Sequence, residues 1–263
     1  MARAIYGGLL YNGFSATNLS VVDPSAAAQD NARRAGIEHI FDSAPGEALL
    51  ADLIVLAIKP QITKAALQPL AGQLGTHSLV LSIVAGINAE SLAALLGLSD
   101  TGHIIRCMPN TPALVGEGMT GLFASRKAGS AEGKALAERV MSSVGQCVWV
   151  ENESDLDVVT AISGSGPAYF FLFIESLTDA AIALGMNGES ARKLALQTAL
   201  GASRLASLSS EDAATLRKNV TSPGGTTEQA IQAFEAADIR GIVAQATQAA
   251  ARRSLELSKE FGA

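Results

Sequence analysis

The chain has few of the residues that most often bind metals or act as nucleophiles. Of its 263 residues, two are cysteine and three are histidine. Cys107 and Cys147 show neither a metal-ligand spacing nor a disulfide framework, and the histidines are scattered. The sequence therefore predicts no metal site, a reducing compartment and catalysis that does without histidine.

Aromatic residues make up 5% of the chain although 48% of it is hydrophobic, so Ala, Leu, Val and Ile must build the core. The chain also has fewer positive than negative side chains, with 19 Lys and Arg against 25 Asp and Glu, which gives a net charge of −6. This balance argues against nucleic acid and anionic membranes as partners. No apolar run approaches the roughly 20 residues of a membrane-spanning helix, and no secretory signal is recognisable. We therefore expect a cytoplasmic protein with no membrane partner.

Residues 1–150 alternate short apolar segments with helical ones. The predicted strands are Leu19–Val22, Ile40–Phe41, Leu53–Ile58, Leu79–Val84, Ile104–Met108, Met119–Ala124 and Cys147–Val150. Leu53–Ile58 is continuously apolar, which is typical of a strand buried on both faces of a parallel sheet. The alternation predicts a doubly wound α/β domain over residues 1–150.

Strand signals stop after Glu151, and helical spacing continues to the end of the chain. The predicted helices are Leu156–Ile162, Pro167–Leu184, Glu189–Ser207, Asp212–Lys218, Glu228–Ala236 and Asp238–Glu260. An all-α domain is therefore expected over residues 151–263. The segment Thr178–Ala206 is rich in Ala, Leu and Gly, and it serves either the core alone or a dimer interface as well.

A polar segment, Asn219–Thr227, separates two of these helices and contains Gly224-Gly225. Glycines allow backbone conformations closed to other residues and let a ligand approach the main chain. Thr226 and Thr227 follow where the next helix exposes its unpaired N–H groups, which attract a carboxylate or phosphate. One interpretation is a capped turn between helices, and the other is an anion-binding site.

Three loops follow predicted strands, at the edge where sheets of this kind bind ligands. They are Ala57–Gln61, Val84–Gly86 and Arg106–Pro112. Each alone is compatible with ordinary turn chemistry, whereas all three at one edge would form a cofactor site. Asp23 ends a strand about 20 residues after Ala2, the spacing at which an acidic residue contacts a dinucleotide ribose. Ser163–Pro167 is either a second anion site or a place where glycines admit a neighbouring helix.

The segments LAIKPQ, RCMPNTPA, AISGSGPAYFF and NVTSPGGTTEQAI resemble those of pyrroline-5-carboxylate reductases, in order along the chain. The resemblance implies a Rossmann-type domain followed by a helical domain that forms homodimers, and often a ring of five dimers, a decamer. It also implies hydride transfer from NADPH or NADH to 1-pyrroline-5-carboxylate, the last step of proline biosynthesis.

Position by position, the resemblance assigns two groups of residues. The cofactor-binding residues would be Ala2, Asp23, Ala57, Ile58, Lys59, Pro60, Ala85, Gly86, Asn110 and Asn219. The substrate-binding residues would be Val220, Ser222, Gly224, Gly225, Thr226, Thr227, Glu153 and Glu211, with the Thr227 hydroxyl beside the reacting ring nitrogen.

Relatives of this kind open with a strand and a turn of the form GxGxMA, of which Met1-Ala2 match only the end. We expect a true start roughly 10–15 residues upstream, or else a natural short form that has lost or weakened its reductase activity. Without that strand, two central strand edges would lack partners.

Two other functions remain open at this stage. One is a related imine or β-hydroxyacid dehydrogenase, although Lys193 and Lys218 lack the sequence context of that class's lysine. The other is a non-catalytic dimeric helical module.

Overall fold

The structure, a computed structural model, describes residues 1–125 and 129–261. The chain divides into two compact units. The first comprises Met1–Ser165 together with the chain from Ala250 onward, and the second comprises Gly166–Ala249. This division by packing differs from the one expected at residue 150, because the segment after the last strand and the end of the chain both pack with the first unit.

The described part of the chain contains seven strands in two sheets. They are β1 (Ser20–Val22), β2 (His39–Phe41), β3 (Leu53–Leu56), β4 (Leu79–Ser82), β5 (Ile104–Met108), β6 (Gly118–Ala124) and β7 (Gly145–Trp149). β1 and β2 pair parallel as a two-stranded sheet, and β3 to β7 form a five-stranded sheet in chain order. No strand ladder joins the two sheets within the described residues.

The five-stranded sheet is parallel from β3 to β5, as predicted, but mixed at its next pair. β6 runs antiparallel to β5, with Ile105 opposite Ala124 and Met108 opposite Gly121. The connection between these strands is too short for the crossover of a dozen or more residues that a parallel pair requires. β7 then runs parallel to β6.

The first unit contains helices on both faces of the larger sheet, together with one helix that packs with the smaller sheet. They are α1 (Ala2–Tyr11), α2 (Ala26–Arg34), α3 (Pro60–Leu67), α4 (Ala89–Leu95), α5 (Ala131–Met141) and α6 (Asp155–Val159). α2 is the helix that packs with β1 and β2 of the smaller sheet. Successive strand residues point to opposite faces. Leu81 and Ile105 accordingly pack in one buried cluster with α1 and α5, whereas Val80 and Ile104 pack in a second cluster with α4.

The remaining helices are α7 (Gly166–Ala183), α8 (Gly188–Leu208), α9 (Ala213–Asn219), α10 (Thr226–Ala236) and α11 (Ile239–Phe261). α11 begins in the second unit and ends in the first. Between α6 and α7 the backbone forms one π-helical turn, Thr160–Gly164. These helices match the predicted ones closely, because each shows a clear helical repeat of apolar residues.

Helices α7 and α8 expose a broad apolar face. Its large exposed side chains are Phe170, Phe171, Leu172, Phe173, Leu177, Leu194, Leu196, Leu200 and Leu205. Among the described residues, the helical run Asp155–Ala183 is the one run long and apolar enough to cross a membrane, with an 18-residue stretch whose mean hydropathy is 1.3. Only 11% of that stretch is buried within the chain. Soluble monomers rarely expose an apolar patch of this size, so the face requires a partner.

Candidate functional site

The ends of β3, β4 and β5 lie side by side, because Leu56 is opposite Ser82 and Ser82 is opposite Arg106. The loops that follow these strands therefore share one edge of the sheet, where open α/β sheets bind ligands. We call this the carboxyl edge. It contains the predicted cofactor residues Ala57, Ile58, Lys59, Pro60, Ala85, Gly86 and Asn110.

Lys59 is the exposed cation of the carboxyl edge. It immediately precedes α3, whose first residue is Pro60, a common choice there because proline lacks the N–H that would go unpaired. The hydroxyl of buried Thr63 donates to the Lys59 carbonyl oxygen at 3.0 Å, which fixes the backbone at this point. The exposed Lys59 ammonium can therefore attract a negatively charged ligand from a fixed point of the backbone.

The loop after β4 contains Ala85 and Gly86, which differ in exposure. Ala85 faces solvent, whereas Gly86 is buried and adopts a φ of +74°. A Cβ at Gly86 would lie 3.2 Å from the Leu257 carbonyl oxygen of α11, closer than most real contacts. The turn therefore requires glycine for its backbone conformation and for its packing.

Asn110 follows β5 and is 9% exposed. Its Oδ1 accepts the Met119 N–H at 2.9 Å, and its Nδ2 donates to the Ser163 carbonyl oxygen at 3.0 Å. The side chain thus ties β6 to the π-helical turn. The predicted cofactor contact of Asn110 stays a prediction beside this structural role. In the same turn, a Cβ at Gly164 would lie 2.8 Å from Met108 Cε of β5, whereas a Cβ at Gly166 would meet nothing within 4 Å, so both interpretations of the Ser163–Pro167 segment stay predictions.

Asp23 lies at the carboxyl end of β1, in the two-stranded sheet. Its N–H donates to the Phe41 carbonyl oxygen at 3.0 Å, and its Oδ1 accepts the Ser25 N–H at 2.8 Å. The carboxylate is therefore oriented by its own turn at the position expected for a ribose contact. Ala2 is exposed and begins α1.

In the second unit, the elbow, residues 219–227, connects α9 to α10. Gly224 has a φ of +71°, and the Gly225 N–H donates to the Ser222 carbonyl oxygen at 3.0 Å. The Gly224 N–H donates to Glu228 Oε2 at 2.8 Å. A side-chain carboxylate thus reaches back to the start of its own helix, as in a capping box.

The start of α10 offers donors for an anion. α10 begins at Thr226, two residues before the predicted start, and Gly225 precedes it without a side-chain cap. The first N–H groups of a helix have no partner within it and carry a partial positive charge. Thr226 is exposed and Thr227 half-buried beside them, while Val220 and Ser222 are exposed in the elbow. This geometry can hold a small carboxylate.

Asn219 and Glu211 are joined directly, since Asn219 Nδ2 donates to Glu211 Oε2 at 2.9 Å. The structure therefore brings both predicted residues to the elbow. Glu153 lies in the first unit, where its Oε1 accepts Arg106 Nη1 at 2.9 Å and the Ala89 N–H at 2.7 Å, and its predicted substrate contact stays a prediction. Sequence reasoning missed Arg106 as its partner. The available signal was an arginine inside the otherwise apolar strand β5.

Asp212 caps the helix that leads into the elbow, with its Oδ1 accepting the Thr215 N–H at 2.8 Å. This hydrogen bond lowers the pKa of the Asp212 carboxyl from its ordinary value of 3.8. A carboxyl whose pKa is lowered by folding stabilises the folded state when the pH is above its unfolded-state pKa. This stabilisation is lost as the pH falls through its folded-state pKa.

We therefore expect Asp212→Ala to lower the free energy of unfolding at pH 7, with the difference from the unaltered chain shrinking as the pH is taken down through 3.8. Denaturant unfolding over this pH series measures it. Asp212→Asn, which retains an acceptor for the Thr215 N–H, serves as the control. A difference independent of pH would contradict the assignment.

Comparison with known proteins covers both units. The family model described as pyrroline-5-carboxylate reductase dimerisation matches residues 153–257. A pyrroline-5-carboxylate reductase from Pseudomonas aeruginosa is 44% identical over 265 residues, covering 100% of this chain and 95% of the relative.

Solved structures agree with this similarity. A pyrroline-5-carboxylate reductase from Coxiella burnetii superposes with a TM-score of 0.92 at 40% identity, covering 98% of this chain and 94% of that one. A Plasmodium falciparum pyrroline carboxylate reductase with NADP bound gives a TM-score of 0.82 at 31% identity, with the same coverage of both chains. At 44% identity over its whole length to a curated relative, the chain belongs to the pyrroline-5-carboxylate reductase family.

Proposed function

We propose that the chain reduces 1-pyrroline-5-carboxylate to L-proline with NADPH or NADH, the last step of proline biosynthesis, in the cytoplasm. Family membership supports the reaction, and the relative from Plasmodium falciparum with NADP bound supports the cofactor. The observation that carries the proposal is the start of α10, where Gly224-Gly225 lead into a helix with open N–H donors.

The carboxyl edge fits a nicotinamide nucleotide. Its three loops follow adjacent parallel strands, small residues such as Ala57 and Ala85 leave the backbone accessible, and Lys59 provides a positive charge. A bound reduced nicotinamide would supply the hydride. The protein's own task is to align the imine with the nicotinamide, since a protonated imine is already electrophilic at carbon.

The elbow fits the imine. Its helix-start donors suit the carboxylate of the substrate, because a negative charge is stabilised at a helix N-terminus. Thr227 would orient the ring nitrogen through its hydroxyl, which is too weak an acid to act as a strong proton donor. Asn219, Val220, Ser222 and Thr226 would shape the surroundings. This assignment needs neither histidine nor a metal ion.

A second copy of the chain is the partner that we propose for the apolar face of α7 and α8. The face is too large for a soluble monomer, and the family model that matches residues 153–257 names dimerisation. Assembly of five such dimers into a decamer is the finer proposal. Neither a membrane nor nucleic acid is proposed as a partner.

The test is oxidation of NADPH and of NADH in the presence of 1-pyrroline-5-carboxylate. We expect turnover that depends on both reactants. A chain that dimerises in solution without oxidising either cofactor would instead identify a non-catalytic dimer. Turnover of a β-hydroxy acid but not of the imine would identify the related dehydrogenase class.

Asp23 is expected to favour NADH, because its carboxylate repels the 2′-phosphate of NADPH. Asp23→Asn keeps an acceptor for the Ser25 N–H and removes only the charge. We expect the ratio of kcat/KM for NADPH over NADH to rise about fivefold, or about 1 kcal/mol. Initial rates with both cofactors measure it, and Asp30→Asn on the exposed face of α2 is the control. An unchanged ratio would remove Asp23 from the cofactor site.

A further inference from the structure

Arg106 places a cation in the middle of the larger sheet. It lies on β5 opposite Ser82 on one side and Phe123 on the other, and its side chain is only 12% exposed. Its Nε is buried with no hydrogen-bond partner among the described residues, while Nη1 donates to Glu153 Oε1 at 2.9 Å. A buried charge is costly without a counter-ion, and Glu153 provides it.

Glu153 also holds the beginning of α4. The oxygen that pairs with Arg106 accepts the N–H of Ala89, the first residue of that helix, at 2.7 Å. This N–H has no partner within the helix, and a carboxylate there also interacts favourably with the helix dipole. Ala89 is buried and the Glu153 side chain is 28% exposed, so the hydrogen bond is partly shielded from water.

The segment between β4 and Ala89 contains the glycine turn of the carboxyl edge. On one side, Gly86 packs against the Leu257 carbonyl of α11, and on the other, Ala89 is bound to Glu153. Only Ile87 and Asn88 separate Gly86 from Ala89, so the two anchored positions belong to one short turn. Arg106 in turn fixes the direction of the Glu153 carboxylate.

We propose that Arg106 and Glu153 are positioning residues that hold the Ala85–Ala89 turn in place for the nicotinamide cofactor. This assigns Glu153 a role through the cofactor turn rather than the substrate contact predicted from the resemblance. The inference rests on the proposed function, because it takes the carboxyl edge as the cofactor site. Neither residue needs to touch the cofactor.

The experiment compares Glu153→Ala with Glu151→Ala, an exposed glutamate two residues away, in the full chain. Amide hydrogen exchange of residues 84–95 is the readout independent of activity, and we expect it to rise at least tenfold in Glu153→Ala only. We also expect Kd for NAD(P)H to rise at least fivefold while KM for the imine changes less than twofold. Unchanged exchange would overturn the proposal.

Two further variants separate charge from hydrogen bonding. Glu153→Gln keeps an acceptor for the Ala89 N–H and should recover most of the exchange protection. Arg106→Met combined with Glu153→Ala should raise Kd no more than Glu153→Ala alone, since Arg106 acts through Glu153. Independent, additive effects of the two residues would overturn the inference.

The kinetic pattern distinguishes failure of the inference from failure of the proposed function. A raised KM for the imine with unchanged Kd for NAD(P)H would return Glu153 to direct substrate binding and overturn the inference alone. If the unaltered chain bound neither cofactor, the proposed function itself would be contradicted.

Discussion

Gly225→Ala is expected to lower kcat/KM for 1-pyrroline-5-carboxylate by roughly a hundredfold. A Cβ at Gly225 would lie 2.9 Å from the Ser222 carbonyl oxygen, the same atom that accepts the Gly225 N–H. The Ser222 oxygen belongs to the backbone and cannot move aside as a flexible side chain would, so the turn must open to relieve the contact. The first donors of α10 would move with it, and a misplacement of about 1 Å costs on this order. Steady-state kinetics measure the change, mainly in KM for the imine.

Gly188→Ala is the matched control, because Gly188 also begins a helix of the second unit. A Cβ there would make only an ordinary contact, 3.7 Å from Ile182 Cδ1. Its kinetics should stay within about twofold of the unaltered chain. If Gly225→Ala behaves like this control, the elbow is a capped turn between helices and the substrate carboxylate binds elsewhere.

Thr227→Ala is expected to lower kcat/KM by at least about tenfold, or roughly 1.4 kcal/mol. Thr227 is the second residue of α10 and is half-buried beside the proposed carboxylate site. Removing its hydroxyl would leave the ring nitrogen without an orienting partner. Because that interaction matters most as hydride is transferred, the loss should fall mainly on kcat.

Thr227→Ser separates the hydroxyl from the methyl group and should retain most of the activity. Stability should change little in either variant, since no side chain caps α10. Thermal unfolding with and without NADPH checks this point. If both variants were as active as the unaltered chain, Thr227 would have no role in the mechanism.

Sequence periodicity was sufficient for the helices and for most strands. Ile104–Met108 begins and ends as predicted, and the helices from α7 to α11 follow their apolar repeats to within two residues. The direction of a strand was harder to predict, because an apolar run has the same pattern whether the strand is parallel or antiparallel to its neighbour. β6 is antiparallel because a short connection follows β5, and only the pairing of Ile105 with Ala124 shows it.

The positions of site residues depended on contacts between distant parts of the chain. The Asn110 side chain is bound to Ser163, which lies 53 residues later, and no local pattern indicates that bond. Glu153 was placed near the substrate by resemblance, whereas its partners Ala89 and Arg106 are 64 and 47 residues away. Composition and turn chemistry indicate which residue types can bind a ligand. Long-range packing decides where they lie.

The course of α11 makes the second unit an insertion within the first. The last turns of this helix pack beside Gly86, and the Ser254 hydroxyl donates to Asp157 Oδ1 at 2.6 Å. Both ends of the segment 166–249 therefore connect to the first unit, and the last turns of α11 pack on that unit. Removing residues from the C-terminus would therefore first remove the contacts that α11 makes within the first unit. The second unit would keep its own contacts.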